Sequence, residues 1–304
     1  MQQRQKRTAL VLSGGGARGS YQVGALKAIA HIQPDGGMNP FDIICGTSAG
    51  ALNASMLACE SDHYGHAVKR LETLWQNLQS DQIHKVGYTQ LLKSTLRLFF
   101  SFFHDGIASG AASALLDNEP LRKLLSTEIN FDKLDEHINN GRLHALCITA
   151  LAYNSGHNIS FFQGDSNIKG WRRNQRLGVG TRLTHDHLMA SSALPTIFPP
   201  VKIDHEYFGD GAIRQRAPLS AALHLGAEKL FVVGVSYHEK EREEPQAPII
   251  HTPTFAQIAG HLLNSSFIDA MDEDIEMLEK FNFISRYLSS DQLKAANIRP
   301  IDVL

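Results

Sequence analysis

Residues Phe41 to Cys59 read FDIICGTSAGALNASMLAC. Phe41, Ile43 and Ile44 form a short apolar, β-branched run of the kind that makes a buried strand. The chain then turns through Gly46-Thr47-Ser48-Ala49-Gly50 and continues in small residues suited to a closely packed helix. A G-x-S-x-G between strand and helix is a nucleophile-elbow pattern, a turn so tight that the serine stands clear of the sheet with its Oγ exposed. Gly46 and Gly50 are expected where strand and helix pass too close for a Cβ, and Ala49, Ala51 and Ala54 let the helix approach its neighbours. A bare G-x-S-x-G is also a common structural turn. Its setting here, between an apolar run and a helix-forming run, is what points to Ser48.

Upstream, Thr8 to Leu12 predicts a first strand, followed by Ser13-Gly14-Gly15-Gly16-Ala17-Arg18-Gly19. A helix is expected from about Ser20 to Ile32, with Tyr21, Val23, Leu26 and Ile29 on its apolar face, closed by Pro34 to Gly37. With the Phe41 strand this is a β-α-β unit, and hence a parallel sheet. Gly14, Gly16 and Gly19 satisfy G-x-G-x-x-G, which raises a dinucleotide fold. That fold wants an acidic residue at the end of the second strand to hold the ribose. Here the second strand ends in Gly46-Thr47-Ser48, and Asp42 lies at its beginning. The loop therefore reads better as an anion cradle, its glycine N–H groups converging at a helix start. Arg18 adds positive charge beside it, or is an ordinary surface arginine that orders the loop.

Downstream, helical patterns run from His63 to Gln79 and from Tyr88 to Phe103. The second is unusually apolar between Leu91 and Phe103 and reads either as a core helix or as a lid or interface-binding segment, with Ala108 to Ala114 as a flexible connector. A short helix follows Asp117 to Glu119, with Pro120 early in it, and another covers Phe131 to Asn140. Leu143 to Ala152 and His157 to Gln163 form an expected hairpin across Asn154-Ser155-Gly156. A polar loop around Trp171-Arg172-Arg173 precedes a short helix at Asp186 to Ser192 and an apolar wall at Ala193 to Pro200. Strands at Val201–Ile203 and Glu206–Phe208 then deliver Gly209-Asp210-Gly211-Ala212. An aspartate at a strand end projects into the mouth of the sheet, although D-G alone is more often a turn. A helix at Pro218 to Leu225 and a strand at Lys229 to Val235 follow. Tyr237 to Pro253 reads as an exposed loop. From Thr254 to Phe283, Phe255, Ile258, Leu262, Met271, Ile275, Leu278 and Phe281 are among the apolar positions of a long amphipathic helix, and Ile298 to Leu304 reads as a final strand.

At 304 residues with a formal charge of −2, the chain has room for a large core and no general attraction to nucleic acid. It shows no signal-peptide core and no apolar stretch near the roughly 20 residues a membrane helix needs. Cys45, Cys59 and Cys147 are an odd set that fits a reduced, cytoplasmic setting. The histidines carry no metal signature.

Three pieces, in order and on the right elements, resemble the patatin-like phospholipase family: Gly14 to Gly19, Gly46 to Gly50, and Asp210-Gly211-Ala212. The run Ala190 to Pro195 is similar to that family too, and the likeness covers roughly Thr8 to Val235. It implies a three-layer α/β/α fold with a mainly parallel central sheet, a catalytic domain at 8–235 and a helical extension at 236–304. It also implies a Ser48–Asp210 dyad, with Ser48 as nucleophile and Asp210 as direct base. Gly14, Gly15 and Gly16 would supply oxyanion N–H groups with Arg18 in support, and Gly19, Gly46, Gly50 and Gly211 would complete the motifs. The substrate would be a lipid ester met in transient contact with a membrane surface by a cytoplasmic protein, with no cofactor and no metal.

Two departures stand out. Ala212 stands where a glycine is also common, and Arg216-Ala217-Pro218 replaces an asparagine pair, which leaves open how the aspartate is held. A carboxylate is normally too weak a base for an alcohol, so the pocket would have to raise the pKa of Asp210 by desolvation. The rivals are an α/β-hydrolase triad using His224, His238, His251 or His261 after the acid, a dinucleotide-binding protein, and a non-catalytic protein on the same fold. The triad reading suffers because its oxyanion loop should follow a middle strand.

Overall fold

The computed structural model describes residues 6–33, 37–78, 114, 116–235, 254–295 and 299–304. The expectations placed on Pro34 to Gly36, Tyr88 to Phe103, Ala108 to Ser113 and Tyr237 to Pro253 lie outside those residues.

The chain opens with β1 (Thr8–Leu12), a single 3-10 turn at Gly16–Arg18, α1 (Gly19–Ile32) and β2 (Ile43–Thr47). After β2 come α2 (Ala49–Cys59), α3 (Tyr64–Asn77) and, beyond the undescribed stretch, α4 (Glu119–Glu128). Next come α5 (Lys133–Asn139), β3 (Ala145–Ala152), β4 (Asn158–Gly164), β5 (Trp171–Arg173) and β6 (Arg176–Gly180). After α6 (His185–Ser191) the chain forms a hairpin of β7 (Val201–Ile203) and β8 (Glu206–Asp210). It ends with α7 (Ser220–His224), β9 (Lys229–Val233), α8 (Phe255–Ser285), α9 (Ser290–Ala295) and β10 (Asp302–Val303).

All the described strands belong to one sheet, ordered β10-β9-β1-β2-β3-β4-β6-β5 with β7 and β8 joined to it at β3, and its run from β10 to β3 is parallel. Alternation within the strands builds two separate cores, because successive side chains leave a strand on opposite faces. Leu10, Leu12, Ile44 and Ile148 join the face covered by α1 to α6. Ala9, Val11, Ile43, Cys45 and Cys147 join the other, covered by α7, Leu219 and Met271 of α8. The molecule is thus three layers, helices on both faces of a mainly parallel sheet. Buried α2 lies at the centre of the larger core. Its ten residues from Gly50 to Cys59 are all buried, which is why the sequence there is almost all small or apolar.

The β7–β8 hairpin breaks the parallel pattern in a way that matters for the site. β3 pairs with β2 as far as Thr47↔Thr149, and from Ala150 to Ala152 it pairs antiparallel with β8, as Ala150↔Asp210. β4 already occupies the other edge of β3 through Leu151. β8 therefore descends in the same column as β2, and the two strands point at each other end to end.

Three details differ from the sequence reading. Tyr21, expected on the apolar face of α1, is exposed, while Gln22 beside it is fully buried. Trp171 to Arg173 is a short edge strand paired antiparallel with β6, not a loop, and Trp171 stacks on Phe162. Phe281 of α8 is 54% exposed; the inward stripe is Met271, Ile275 and Leu278. β10 is the final strand expected within Ile298 to Leu304, and it lies at the edge of the sheet beside β9. Among the described residues no helix is long and apolar enough to cross a membrane.

Candidate active site

Ser48 sits between the end of β2 and the start of α2 with φ 55° and ψ −124°. That is a sparsely populated conformation for a residue with a side chain, costing on the order of 1–3 kcal/mol. Its neighbours explain how so tight a turn is reached. A Cβ on Gly46 would meet the Gly50 carbonyl and the Ala51 backbone, and one on Gly50 would meet the carbonyls of Leu12 and Ser13. The second contact also places the elbow against the end of β1, where the glycine loop begins.

The head-on meeting of β2 and β8 brings Ser48 to Asp210 across 162 residues of sequence. The Ser48 hydroxyl donates to Asp210 Oδ2 at 2.6 Å. The other carboxylate oxygen, Oδ1, accepts the Ala212 N–H at 2.9 Å. Asp210's own N–H donates to the Ala193 carbonyl at 2.8 Å. Gly211 lies so close to the backbone of Thr149 that a Cβ would strike its carbonyl. Asn158 donates to the Gly211 carbonyl at 3.1 Å. The aspartate is therefore held by backbone groups and Asn158, which answers what the missing asparagine pair left open.

Electrostatics follow from this enclosure. Asp210 is fully buried and Ser48 is 5% exposed. Burial disfavours the charged carboxylate and lifts Asp210 from 3.8 to about 7, against the opposing pull of its bonds from Ser48 and Ala212. A carboxylate with that affinity for protons is a far better base toward an alcohol than a solvated one, and it is poised near neutral pH.

The glycine loop has the opposite character. Gly14 is buried, while Gly16, Ala17 and Arg18 are exposed. Gly16 has φ +54° and open space where its Cβ would be; a Cβ on Gly15 would strike the Val235 side chain. Among the described residues, the N–H groups of Gly14, Gly15 and Gly16 have no acceptor. Free donors at the start of α1 can receive a negative oxygen. Gly19, at the first position of α1, lies against Ala49 and Trp75, leaving no room for a side chain.

Sequence reasoning missed the polar groups that brace this loop. Gln22 donates to the carbonyls of Ser13, at 2.8 Å, and Val233, at 3.3 Å. Asn53 donates to the Gly19 carbonyl at 3.0 Å and to Gln22 Oε1 at 2.9 Å, and accepts Trp75 Nε1 at 2.8 Å. Both amides are fully buried. A polar residue in an otherwise apolar helical window is the signal that could have found them. Ser191 was missed as well: it accepts the Ser48 N–H at 2.9 Å and donates to the Thr149 carbonyl at 2.7 Å.

Of the four histidines considered for a triad, the described side chain is that of His224. It stacks on Trp171 at 4.8 Å, and its Nδ1 lies 2.7 Å from the Ser220 carbonyl. Both carboxylate oxygens of Asp210 are engaged by other groups. The three cysteines are buried free thiols. Cys45 and Cys147 are paired across β2 and β3, and their mutual contact and burial push the Cys45 thiol up.

The sequence model of the family described as "Patatin-like phospholipase" matches residues 10–223. The chain is 28% identical over 215 residues to a cGAMP-activated phospholipase of Pseudomonas aeruginosa, a match covering 71% of this chain and 55% of the relative. It is 29% identical over 225 residues to a cGAMP-activated phospholipase of Vibrio cholerae, covering 71% of this chain and 56% of the relative. A shorter segment of 86 residues is 42% identical to lysophospholipase nte1 of Aspergillus terreus, covering 26% of this chain and 5% of that protein. The chain thus spans little more than half the length of the two bacterial relatives.

Proposed function

The chain belongs to the patatin-like phospholipase family, and on that premise we propose that it is a serine acyl hydrolase that cleaves fatty-acyl esters of phospholipids or related lipids. The observation that carries this reading is the 2.6 Å hydrogen bond from the Ser48 hydroxyl to a fully buried Asp210 carboxylate. The geometry supports the following division of labour.

Ser48 Oγ attacks the ester carbonyl carbon as its proton passes to Asp210 Oδ2. The carbonyl π pair moves onto oxygen, and that oxyanion takes hydrogen bonds from the N–H groups of Gly14, Gly15 and Gly16, with Arg18 in support. Collapse expels the alcohol, which leaves with the proton from Asp210. Water then attacks the acyl-serine, with Asp210 again accepting the proton; collapse breaks the acyl–Oγ bond, Asp210 returns that proton to Ser48 Oγ, and the fatty acid is released. The same reading assigns residues 8–235 to the catalytic domain and 236–304 to an extension packed on it. It places the enzyme in the cytoplasm, in transient contact with a lipid surface.

Labelling with a fluorophosphonate, followed by hydrolysis assays across phospholipid, lysophospholipid and neutral-lipid classes, tests the proposal. Wild-type protein labels and releases fatty acid, whereas Ser48→Ala does neither while keeping its fold. Undiminished labelling of Ser48→Ala removes Ser48 from the reaction.

A further inference from the structure

We propose that Ser191 is a positioning residue for the nucleophile: its hydroxyl ties the Ser48 amide to the backbone of β3 and so fixes the elbow in the conformation that seats Oγ on Asp210. The inference rests on the reading of Ser48 and Asp210 as the reacting pair. It adds a third side chain, one that never meets substrate.

Two observations carry it. Ser191 is fully buried, and its single hydroxyl both accepts the Ser48 N–H at 2.9 Å and donates to the Thr149 carbonyl at 2.7 Å. Thr149 is the partner of Thr47 in the β2–β3 ladder. The next regular pairing on that edge would belong to Ser48, yet there β2 has ended and β8 enters, with Asp210 opposite Ala150. Ser191 supplies the link that the ladder has lost, at the residue whose backbone is strained. Without it the Ser48 N–H and the Thr149 carbonyl would both be buried and unpaired, and the turn could relax toward ordinary dihedral angles.

The same stretch also registers the base. Two residues beyond Ser191, the Ala193 carbonyl accepts the Asp210 N–H at 2.8 Å. The end of α6 thus touches the backbone of both dyad members and can set their separation. One consequence concerns the oxyanion. The Ser48 N–H is engaged inward by Ser191, which leaves the stabilising donors to the glycine loop and the start of α2.

A purely structural serine and a positioning serine make different forecasts. With a soluble short-chain ester, Ser191→Ala lowers kcat by about 10- to 100-fold while KM changes by no more than about twofold, since misplacement of reacting groups is felt in the chemical step. The rate is expressed per active site titrated with fluorophosphonate, so that loss of folded protein does not enter. Ser191→Cys, which keeps a weaker donor and acceptor, retains an intermediate kcat, and it carries the test alone if the alanine variant does not fold. An unchanged kcat per titrated site in both variants, or a change confined to KM, overturns the proposal. If Ser48→Ala and Asp210→Asn are inactive while the Ser191 variants are normal, only the positioning role fails. Activity retained by Ser48→Ala would instead sink the underlying reading.

Discussion

The two halves of the site, the Ser48–Asp210 pair and the Gly14–Gly16 loop, are built on opposite physical plans. The pair is sealed. Asp210 is fully buried, Ser48 nearly so, and the Ser48 N–H, its hydroxyl and both Asp210 carboxylate oxygens have protein partners. The loop is open at its tip, with Gly16 to Arg18 exposed, and its glycine N–H groups lack acceptors among the described residues. Burial gives the carboxylate its basicity, and fixed contacts give the serine its aim. Donors for an oxyanion must instead be left unpaired until substrate arrives, and a surface loop at a helix start tolerates that because water can serve them meanwhile. One half is prepared by satisfaction, the other by vacancy.

That contrast orders the effects of mutation. The largest falls on the sealed half: Asp210→Asn removes the proposed proton acceptor and lowers kcat by about 10²–10⁴-fold in steady-state assays on a soluble ester. His224→Gln leaves kcat within about threefold, because its ring is committed to Trp171 and Ser220. A loss in His224→Gln equal to that in Asp210→Asn would restore a triad.

A smaller effect is expected at the loop. Gly15→Ala presses on Val235 and displaces the donors, lowering kcat by roughly 10- to 100-fold with little change in KM. Gly16→Ala has space for its methyl and suffers only from φ +54°, so it loses about 1–2 kcal/mol of stability and less activity than Gly15→Ala. Equal damage from both would mean that the loop acts through its backbone shape alone. Saturable NAD or FAD binding lost in Gly15→Ala would reassign it to a dinucleotide.

The effect on stability has the reverse sign of the activity loss. The folded state raises Asp210 from 3.8 to about 7, so the fold favours the protonated acid. This contribution is fully present below the unfolded pKa and is lost as the pH rises through about 7. Asp210→Asn cannot ionise. Above pH ~7 it should therefore be more stable than wild type, by at most about 4 kcal/mol, and below pH ~4 that advantage disappears. Thermal unfolding at both pH values reads this directly. Equal Tm differences at the two pH values would show that burial of the charge is not what the fold resists.

Much of this was legible in the sequence because close approach of backbones forces small residues. Gly46, Gly50 and Gly211 each stand where a Cβ would strike a carbonyl, and that requirement survives as a readable motif. The parallel β1–β2 unit followed from its apolar runs and the helix between them. The meeting of β2 with β8 was not legible, since it depends on which edge of β3 each strand takes. Ser191 was hidden for a similar reason. Its bond to Ser48 spans 143 residues, and nothing local marks a serine as a bridge. In the long helix α8 the periodicity misled at Phe281. Met271, Ile275 and Leu278 face the core, while Met277, Phe281 and Ile284 repeat the same spacing on the exposed side. Two apolar stripes on one helix cannot be ranked without the body it packs against. The elevated pKa of Asp210 lies further still from the sequence, being set by everything that excludes water around it.

Asp210 itself is the proposed base, made competent by burial. The most direct test follows the carboxyl carbons by NMR as a function of pH in protein labelled with ¹³C at aspartate. The account predicts one carboxyl signal that titrates with a midpoint of about 7 and is missing from Asp210→Asn. If no such signal exists, and the resonance lost in Asp210→Asn titrates near the ordinary aspartate value of about 4, burial does not tune the base and the account is contradicted.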